Sequence, residues 1–166
     1  MRKAYVIIDM QNDFIDGPLG SPEAQAIVPN VKALLSQHDY DKLIFTRDTH
    51  TENYPETQEG QKLPVLHCVK NTHGWQIHSN LDTTNATVID KYTFGHYDWK
   101  GLFDDIDEIT LAGLCTDICV ISNALIIKAI YPEKIINIVE NATAGVTPET
   151  KTAALTTAKS CQINII

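Results

Sequence analysis

Six short runs of consecutive apolar, largely β-branched residues punctuate the chain: AYVIID (Ala4–Asp9), KLIFT (Lys42–Thr46), TVID (Thr87–Asp90), EITLAG (Glu108–Gly113), KIINIV (Lys134–Val139) and INII (Ile163–Ile166). A strand with one wet face alternates apolar and polar residues, whereas a continuous apolar run marks a strand covered on both faces. Between the runs the period lengthens. Pro22 to Gln37 carries Ile27, Val31, Leu34 and Leu35 at helical spacing. Thr116 to Ile130 is apolar around most of its circumference, which predicts a deeply buried helix. Thr147-Pro148-Glu149 supplies an N-cap, a proline at the first helical position and an acid in the first turn, opening a helix through about Lys159. Strands alternating with helices predict a parallel α/β sheet with helices on both faces.

One segment breaks the alternation. From Asp48 to about Thr84 the chain is polar, holds His50, His67, His73 and His78, and shows no long period of either kind. A loop of that length in a compact fold is usually functional. In open α/β sheets, ligands bind beyond the carboxyl ends of the strands. At those ends the sequence places Asp9, then Arg47-Asp48-Thr49-His50, then Asp90-Lys91, then Gly113-Leu114-Cys115. An acid, two metal-type donors, a lysine and a cysteine therefore converge on one edge.

Length and charge narrow the classes. The 166 residues fit one domain, 1–166, with a real core, and 43% hydrophobic against 20% charged residues is the balance of an ordinary globule. The net charge of −8, with no dense Lys/Arg cluster, argues against a nucleic-acid partner. The first apolar run ends at Asp9, too soon for a signal peptide, and no window approaches a membrane span, so no membrane partner and a cytoplasmic location are expected. The four cysteines are then expected as thiols.

Cys119 falls in the first turn of the helix after the fourth strand. Free N–H groups and the helix dipole there lower a thiol's pKa and can hold an oxyanion. A free cysteine is more often just a small buried hydrophobe. Asp9 at a buried strand end is costly unless paired or employed, and Lys91 taken alone reads as solvent-facing. Together the three form a thiolate, a general acid/base and a balancing cation. The spacing of Cys115 and Cys119 suits neither a zinc pair nor a redox pair well. Asp48, His50 and His67 offer one oxygen and two nitrogen donors for a divalent metal such as Zn²⁺, Fe²⁺ or Mn²⁺; Glu59 is the first candidate for a fourth ligand and Glu56 its rival. His38, His73, His78 and His96 read as surface residues.

The pieces VIIDMQNDF, TRDTH, HCVKNTHG, VIDK and AGLCTDICV, in this order, resemble the isochorismatase-like cysteine hydrolases, and within them the nicotinamidase/pyrazinamidase branch. The resemblance implies a three-layer, Rossmann-like fold with a six-stranded parallel sheet in the order 3-2-1-4-5-6. It implies Asp9, Lys91 and Cys119 as catalytic residues, and a cis Leu114–Cys115 peptide that brings the Cys115 amide beside that of Cys119 as an oxyanion hole. Asp48, His50 and His67 match metal ligands, and Phe14 an aromatic that packs on the substrate ring. Two stretches depart from the branch. Leu63 to Leu66 stands where a tryptophan usually precedes the second metal histidine, and YTFGHYDW follows Lys91, where Phe94 or Tyr97 could supply a ring. The implied activity is hydrolysis of a small carboxamide to acid and ammonia through a thioester, in a homo-oligomer. The alternatives are a metal-free hydrolase of another small amide and a catalytically silent binding protein on the same scaffold.

Overall fold

Six parallel strands form one sheet in the order β3-β2-β1-β4-β5-β6, in the computed structural model, which describes all residues from Met1 to Ile166. The strands are β1 (Lys3–Ile8), β2 (Lys42–Asp48), β3 (Thr87–Lys91), β4 (Glu108–Leu114), β5 (Ile135–Ala144) and β6 (Asn164–Ile165). The expected order holds. β5 runs five residues beyond the expected Val139, and β6 pairs through only two residues, Asn137 with Asn164 and Ile138 with Ile165. The extra length of β5 is reached through a register irregularity against β4 between Leu111 and Gly113, which puts Thr143 and Ala144 beside Gly113 and Leu114.

Successive side chains of β1 point to opposite faces, and each face has its own core. Val6 and Ile8 pack with Ile109, Leu111, Ala124, Ile127 and Leu155 on one side. Tyr5 and Ile7 pack with Ile27, Val31, Leu35 and Phe45 on the other. The second layer is α2 (Pro22–Ser36), capped by Ser21, whose hydroxyl accepts the Ala24 N–H at 3.0 Å. The opposite layer holds α4 (Ile121–Ile130) and α5 (Pro148–Ser160), the latter opened by a capping box between Thr147 and Thr150. No helix is long and apolar enough to cross a membrane.

The segment expected as one deeply buried helix is two structures. Thr116–Val120 is a π-helical turn, with the Val120 N–H reaching back five residues to the Cys115 carbonyl at 3.0 Å, and only then does α4 begin. Its outer face, Ile121, Leu125, Ile126 and Ile130, is half-buried, because the Phe94–Phe103 stretch covers it only in part. The long polar loop carries a 3₁₀ turn (Tyr54–Glu56) and a short helix, α3 (Gln58–Lys62); a further turn of helix, α1 (Asn12–Ile15), follows β1. These are too short to leave a periodic pattern.

One glycine fixes how closely the ends of β1 and β4 approach. Gly113 has φ +115°, and a Cβ there meets the Ile8 carbonyl oxygen at 2.1 Å. Any side chain forces apart the two strand ends from which Asp9 and Cys115 emerge. Gly113→Ala is expected to lose about 3 kcal/mol or more of stability, combining a strained dihedral with a backbone clash. Urea denaturation measures it, and a loss under about 1 kcal/mol contradicts the packing described.

Candidate active site

The strand ends deliver their side chains to one crevice. Asp9 follows β1 with a left-handed backbone (φ 47°), an uncommon state for a non-glycine residue. Its Oδ1 accepts the Thr46 hydroxyl at 2.6 Å, and its backbone N–H donates to Thr46 Oγ1 at 3.2 Å. Its Oδ2 forms an ion pair with Lys91 Nζ at 2.6 Å and accepts no aligned hydrogen bond. Lys91, the last residue of β3, is 1% exposed. Its ammonium also reaches Asp48 Oδ1 at 3.3 Å, Cys119 Sγ at 3.4 Å and the Thr93 carbonyl at 3.2 Å. One buried cation thus touches the acid, the thiol and the first of the metal-type donors.

Burial sets the proton affinities. It works against the Lys91 ammonium, but Asp9, Cys119 and Asp48 outweigh it and hold the lysine above its ordinary pKa. Burial raises Asp9 above the usual carboxylate range, with the Lys91 charge offsetting part of the rise. The Cys119 thiol is pushed well up, first by burial and then by the Asp9 charge, with Lys91 opposing. This corrects the expectation that a helix N-terminus lowers it: the π-helical turn places the sulfur in the core cluster, where burial disfavours the thiolate.

Cys115 caps that turn. Its peptide bond with Leu114 is cis, as the resemblance implies, and its carbonyl accepts N–H groups from both Ile118 and Val120. The Cys115 thiol is half-buried at the crevice, where burial pushes it up to about 12. All four cysteines are free thiols.

Asp48, His50, Glu59 and His67 each turn one donor atom to a common point, all within 4.8 Å of one another. His50 Nε2 lies 3.0 Å from Asp48 Oδ2 and 3.7 Å from Glu59 Oε1; His67 Nε2 lies 3.7 and 3.9 Å from the same two oxygens. His67 donates its Nδ1–H to the Val65 carbonyl at 2.7 Å, which fixes the tautomer and leaves Nε2 free toward the group. Two nitrogens and two carboxylate oxygens form a donor set suited to a divalent metal. The rival Glu56 sits exposed in the 3₁₀ turn and is not in the group. Tyr54 packs edge-on against both histidine rings, at 4.6 and 5.0 Å, and donates its hydroxyl to the Leu63 carbonyl.

A cleft of about 720 Å³ opens onto these groups, lined by Cys115, Cys119, Asp48, Glu59 and His67 on its reactive side. Phe14 and Phe94 both line it, with Tyr92, Leu63, Ile118 and Val146 completing an apolar rim. Tyr97 points away: it is 81% exposed and stacks on His96. His96 is half-buried, edge-on to Trp99, not a free surface residue.

The family model for the isochorismatase domain matches residues 3–166. The chain belongs to the isochorismatase family. It is 25% identical over 184 residues to the nicotinamidase/pyrazinamidase of Mycobacterium tuberculosis, covering 99% of this chain and 98% of that protein. Among solved structures, the pyrazinamidase of Pyrococcus horikoshii in complex with zinc superposes with a TM-score of 0.84 at 26% identity, covering 100% of this chain and 99% of that one. The nicotinamidase of Bacillus subtilis gives 0.84 at 28% identity, covering 99% and 98%.

Sequence reasoning missed the residues that hold this family member's site in place. Gln11 is fully buried; its amide accepts the Asp48 N–H at 2.7 Å and donates to the Asp48 and Trp75 carbonyls, each at 2.9 Å. Asn12 donates to the His73 carbonyl, and Asp13 accepts the Cys68 N–H at 2.8 Å. These three polar residues directly after a buried strand tie the long loop to β1. The available signal was the polar run itself, since buried polar groups require partners. If this four-donor group holds Zn²⁺, His50→Ala weakens its binding at least 100-fold, more than the loss of an outer-shell partner costs. Chelator competition measures the affinity, and wild-type-like binding removes His50 from the ligand set.

Proposed function

We propose that this protein is a metal-dependent cysteine amidohydrolase of nicotinamidase type, converting a small ring carboxamide to its acid and ammonia. The observation carrying this reading is the Lys91 ammonium, in simultaneous contact with Asp9, Asp48 and Cys119. A cysteine hydrolase needs a base for its thiol, a cation to keep two nearby carboxylates tolerable in a dry crevice, and an open side for substrate. All three requirements have a residue here.

In this mechanism Asp9 takes the Cys119 proton as the sulfur attacks the carboxamide carbon, so no resting thiolate is needed. Carbon–sulfur bond formation pushes the carbonyl electrons onto oxygen, and the backbone amides of Cys115 and Cys119 stabilise that oxyanion. Asp9, now protonated, returns the proton to the departing nitrogen, and ammonia leaves with the electrons of the carbon–nitrogen bond. Asp9 then deprotonates a water, which cleaves the thioester and regenerates the thiol. The raised proton affinity of Asp9 serves both directions of transfer. Lys91 stays protonated throughout and balances whichever neighbour carries charge.

Asp48, His50, Glu59 and His67 would hold a divalent ion, Zn²⁺ or else Fe²⁺ or Mn²⁺; bound there, it supplies a Lewis-acidic point that fixes a ring nitrogen or a water at the cleft wall. Phe14 and Phe94 face the same space and offer aromatic surface to the ring.

Ammonia release from nicotinamide, with and without added Zn²⁺, tests the reading. Cys119→Ala is expected to lower turnover by several powers of ten; a variant that keeps a tenth of wild-type activity ends the proposal. Asp9→Asn removes the base and its negative charge together, and two readouts report on them separately. Turnover falls roughly 10²–10⁴-fold with the general base, yet the carboxylate that raises the thiol is gone while the Lys91 cation remains. Alkylation of Cys119 by iodoacetamide therefore sets in at lower pH than in the wild type. An unchanged or higher onset contradicts the electrostatic assignment.

A further inference from the structure

Asn123 lies in the first turn of α4 and is completely buried in a largely apolar helix. An amide side chain offers two N–H donors and an oxygen with two acceptor sites. All four are used. Nδ2 donates to the Cys119 carbonyl at 2.8 Å and to the Phe94 carbonyl at 3.2 Å. Oδ1 accepts the backbone N–H of His96 at 2.8 Å and the Trp99 indole N–H at 3.0 Å. One side of the amide therefore holds the residue bearing the reactive sulfur, at the point where the helix ladder changes from π to α. The remaining bonds hold the segment whose Phe94 lines the cleft.

The contact between these two parts is close along its length. A Cβ on Gly95 meets Ile126 Cδ1 at 2.5 Å and Ser122 Cβ at 3.2 Å, so the Phe94–Trp99 backbone lies directly on α4. Trp99 then stacks on Phe103 at 5.6 Å and anchors the far end of the segment in the core. Without Asn123, the carbonyls of Cys119 and Phe94 and two N–H groups lose their shared partner, the Cys119 carbonyl and the Trp99 indole in buried surroundings, and the two parts can shift independently.

We infer that Asn123 is a positioning residue that couples the placement of the Cys119 sulfur to that of the Phe94 wall of the cleft. This rests on the reading of Cys119 as nucleophile. Substrate fit and nucleophile geometry are then one property: a ring that displaces Phe94 also displaces the sulfur, and substrates that leave the wall in place meet an aligned thiol. The aromatic-rich YTFGHYDW stretch that departs from the nicotinamidase pattern is thereby tied to the reactive turn.

A double-mutant cycle in the full-length protein tests the coupling. Trp99→Phe removes the indole donor and leaves a smaller ring in the core, and Asn123→Ser removes the bridging amide. The readouts are kcat and KM for nicotinamide, the iodoacetamide alkylation rate of Cys119, and the melting temperature. Trp99→Phe is expected to raise KM and slow alkylation of the distant sulfur, each by roughly 3- to 10-fold, the weight of one hydrogen bond. Asn123→Ser produces a larger change in both, and in that background Trp99→Phe acts only through its smaller ring, so its effect on each falls well below its effect in the wild type. The cavity left by the smaller ring is present in both backgrounds and cancels in the cycle.

Effects that multiply across the cycle overturn the coupling, as does a Trp99→Phe protein whose KM and alkylation rate stay within twofold of wild type. If Asn123→Ser does not fold, the Trp99→Phe alkylation rate alone decides. Failure of the underlying reading looks different: Cys119→Ala then retains turnover, or the wild type releases no ammonia, while the alkylation cycle still reports on Asn123.

Discussion

A lysine ammonium at 1% exposure has surrendered almost all of its hydration, and the site is organised by what replaces that water. Two carboxylates do so: Asp9 at 2.6 Å and Asp48 at 3.3 Å, with the Thr93 carbonyl as a neutral acceptor. Breaking such a buried set by removing one partner costs on the order of 3–5 kcal/mol, because the remaining charges stay uncompensated. The three residues therefore hold one another in register. The same constraint fixes chemistry. The Lys91 ammonium stands between the Cys119 sulfur, 3.4 Å away, and Asp9 Oδ2, 2.6 Å away, so the thiol and the acid are gathered around one cation.

The sheet makes this meeting possible. β1 pairs with β2 on one side and β4 on the other, and β2 pairs with β3, so the ends carrying Asp9, Asp48, Lys91 and Cys115 lie side by side. Parallel pairing sends every carboxyl end to the same edge. The close approach at Gly113 then brings the exits of β1 and β4 together. Residues far apart in the chain become neighbours through backbone hydrogen bonds, and the side chains need only short reaches. Rigid strands also give the positional precision that a loop-borne triad would lack.

Much of this is legible in the sequence, for an identifiable reason. Asp9 ends an apolar run, Lys91 and Asp48 follow others within two residues, and Cys119 lies six residues past a fourth, so the ligand-binding edge of a parallel sheet predicts their convergence before any contact is known. Glu59 was separable from Glu56 only in three dimensions, because the turn of α3 decides which carboxylate faces the histidines. Depth was not legible. Position in a helix suggested a lowered thiol pKa for Cys119, whereas the buried π-helical turn reverses the sign. Gln11 and Asn123 escaped notice because their work is done through backbone groups, which have no sequence signature. A single amide in an apolar helix, or a polar run behind a buried strand, is the trace such residues leave.

The division between the two kinds of residue has a consequence for how this family member could differ from its relatives. The reactive edge is built from strand ends whose geometry is fixed by the sheet. The cleft rim, with Leu63, Tyr92, Phe94 and Val146, is built from connecting segments that the sheet does not constrain. Substitutions at the rim alter which ring is accepted without disturbing the charges at Lys91, unless the rim is bonded to the reactive turn. The long loop is bonded at its base through Gln11, and the Phe94 segment through Asn123. A wall anchored in this way is not free to vary independently of the sulfur it faces. Changing the accepted substrate at Phe94 then requires either preserving the amide bridge or rebuilding both of its ends together.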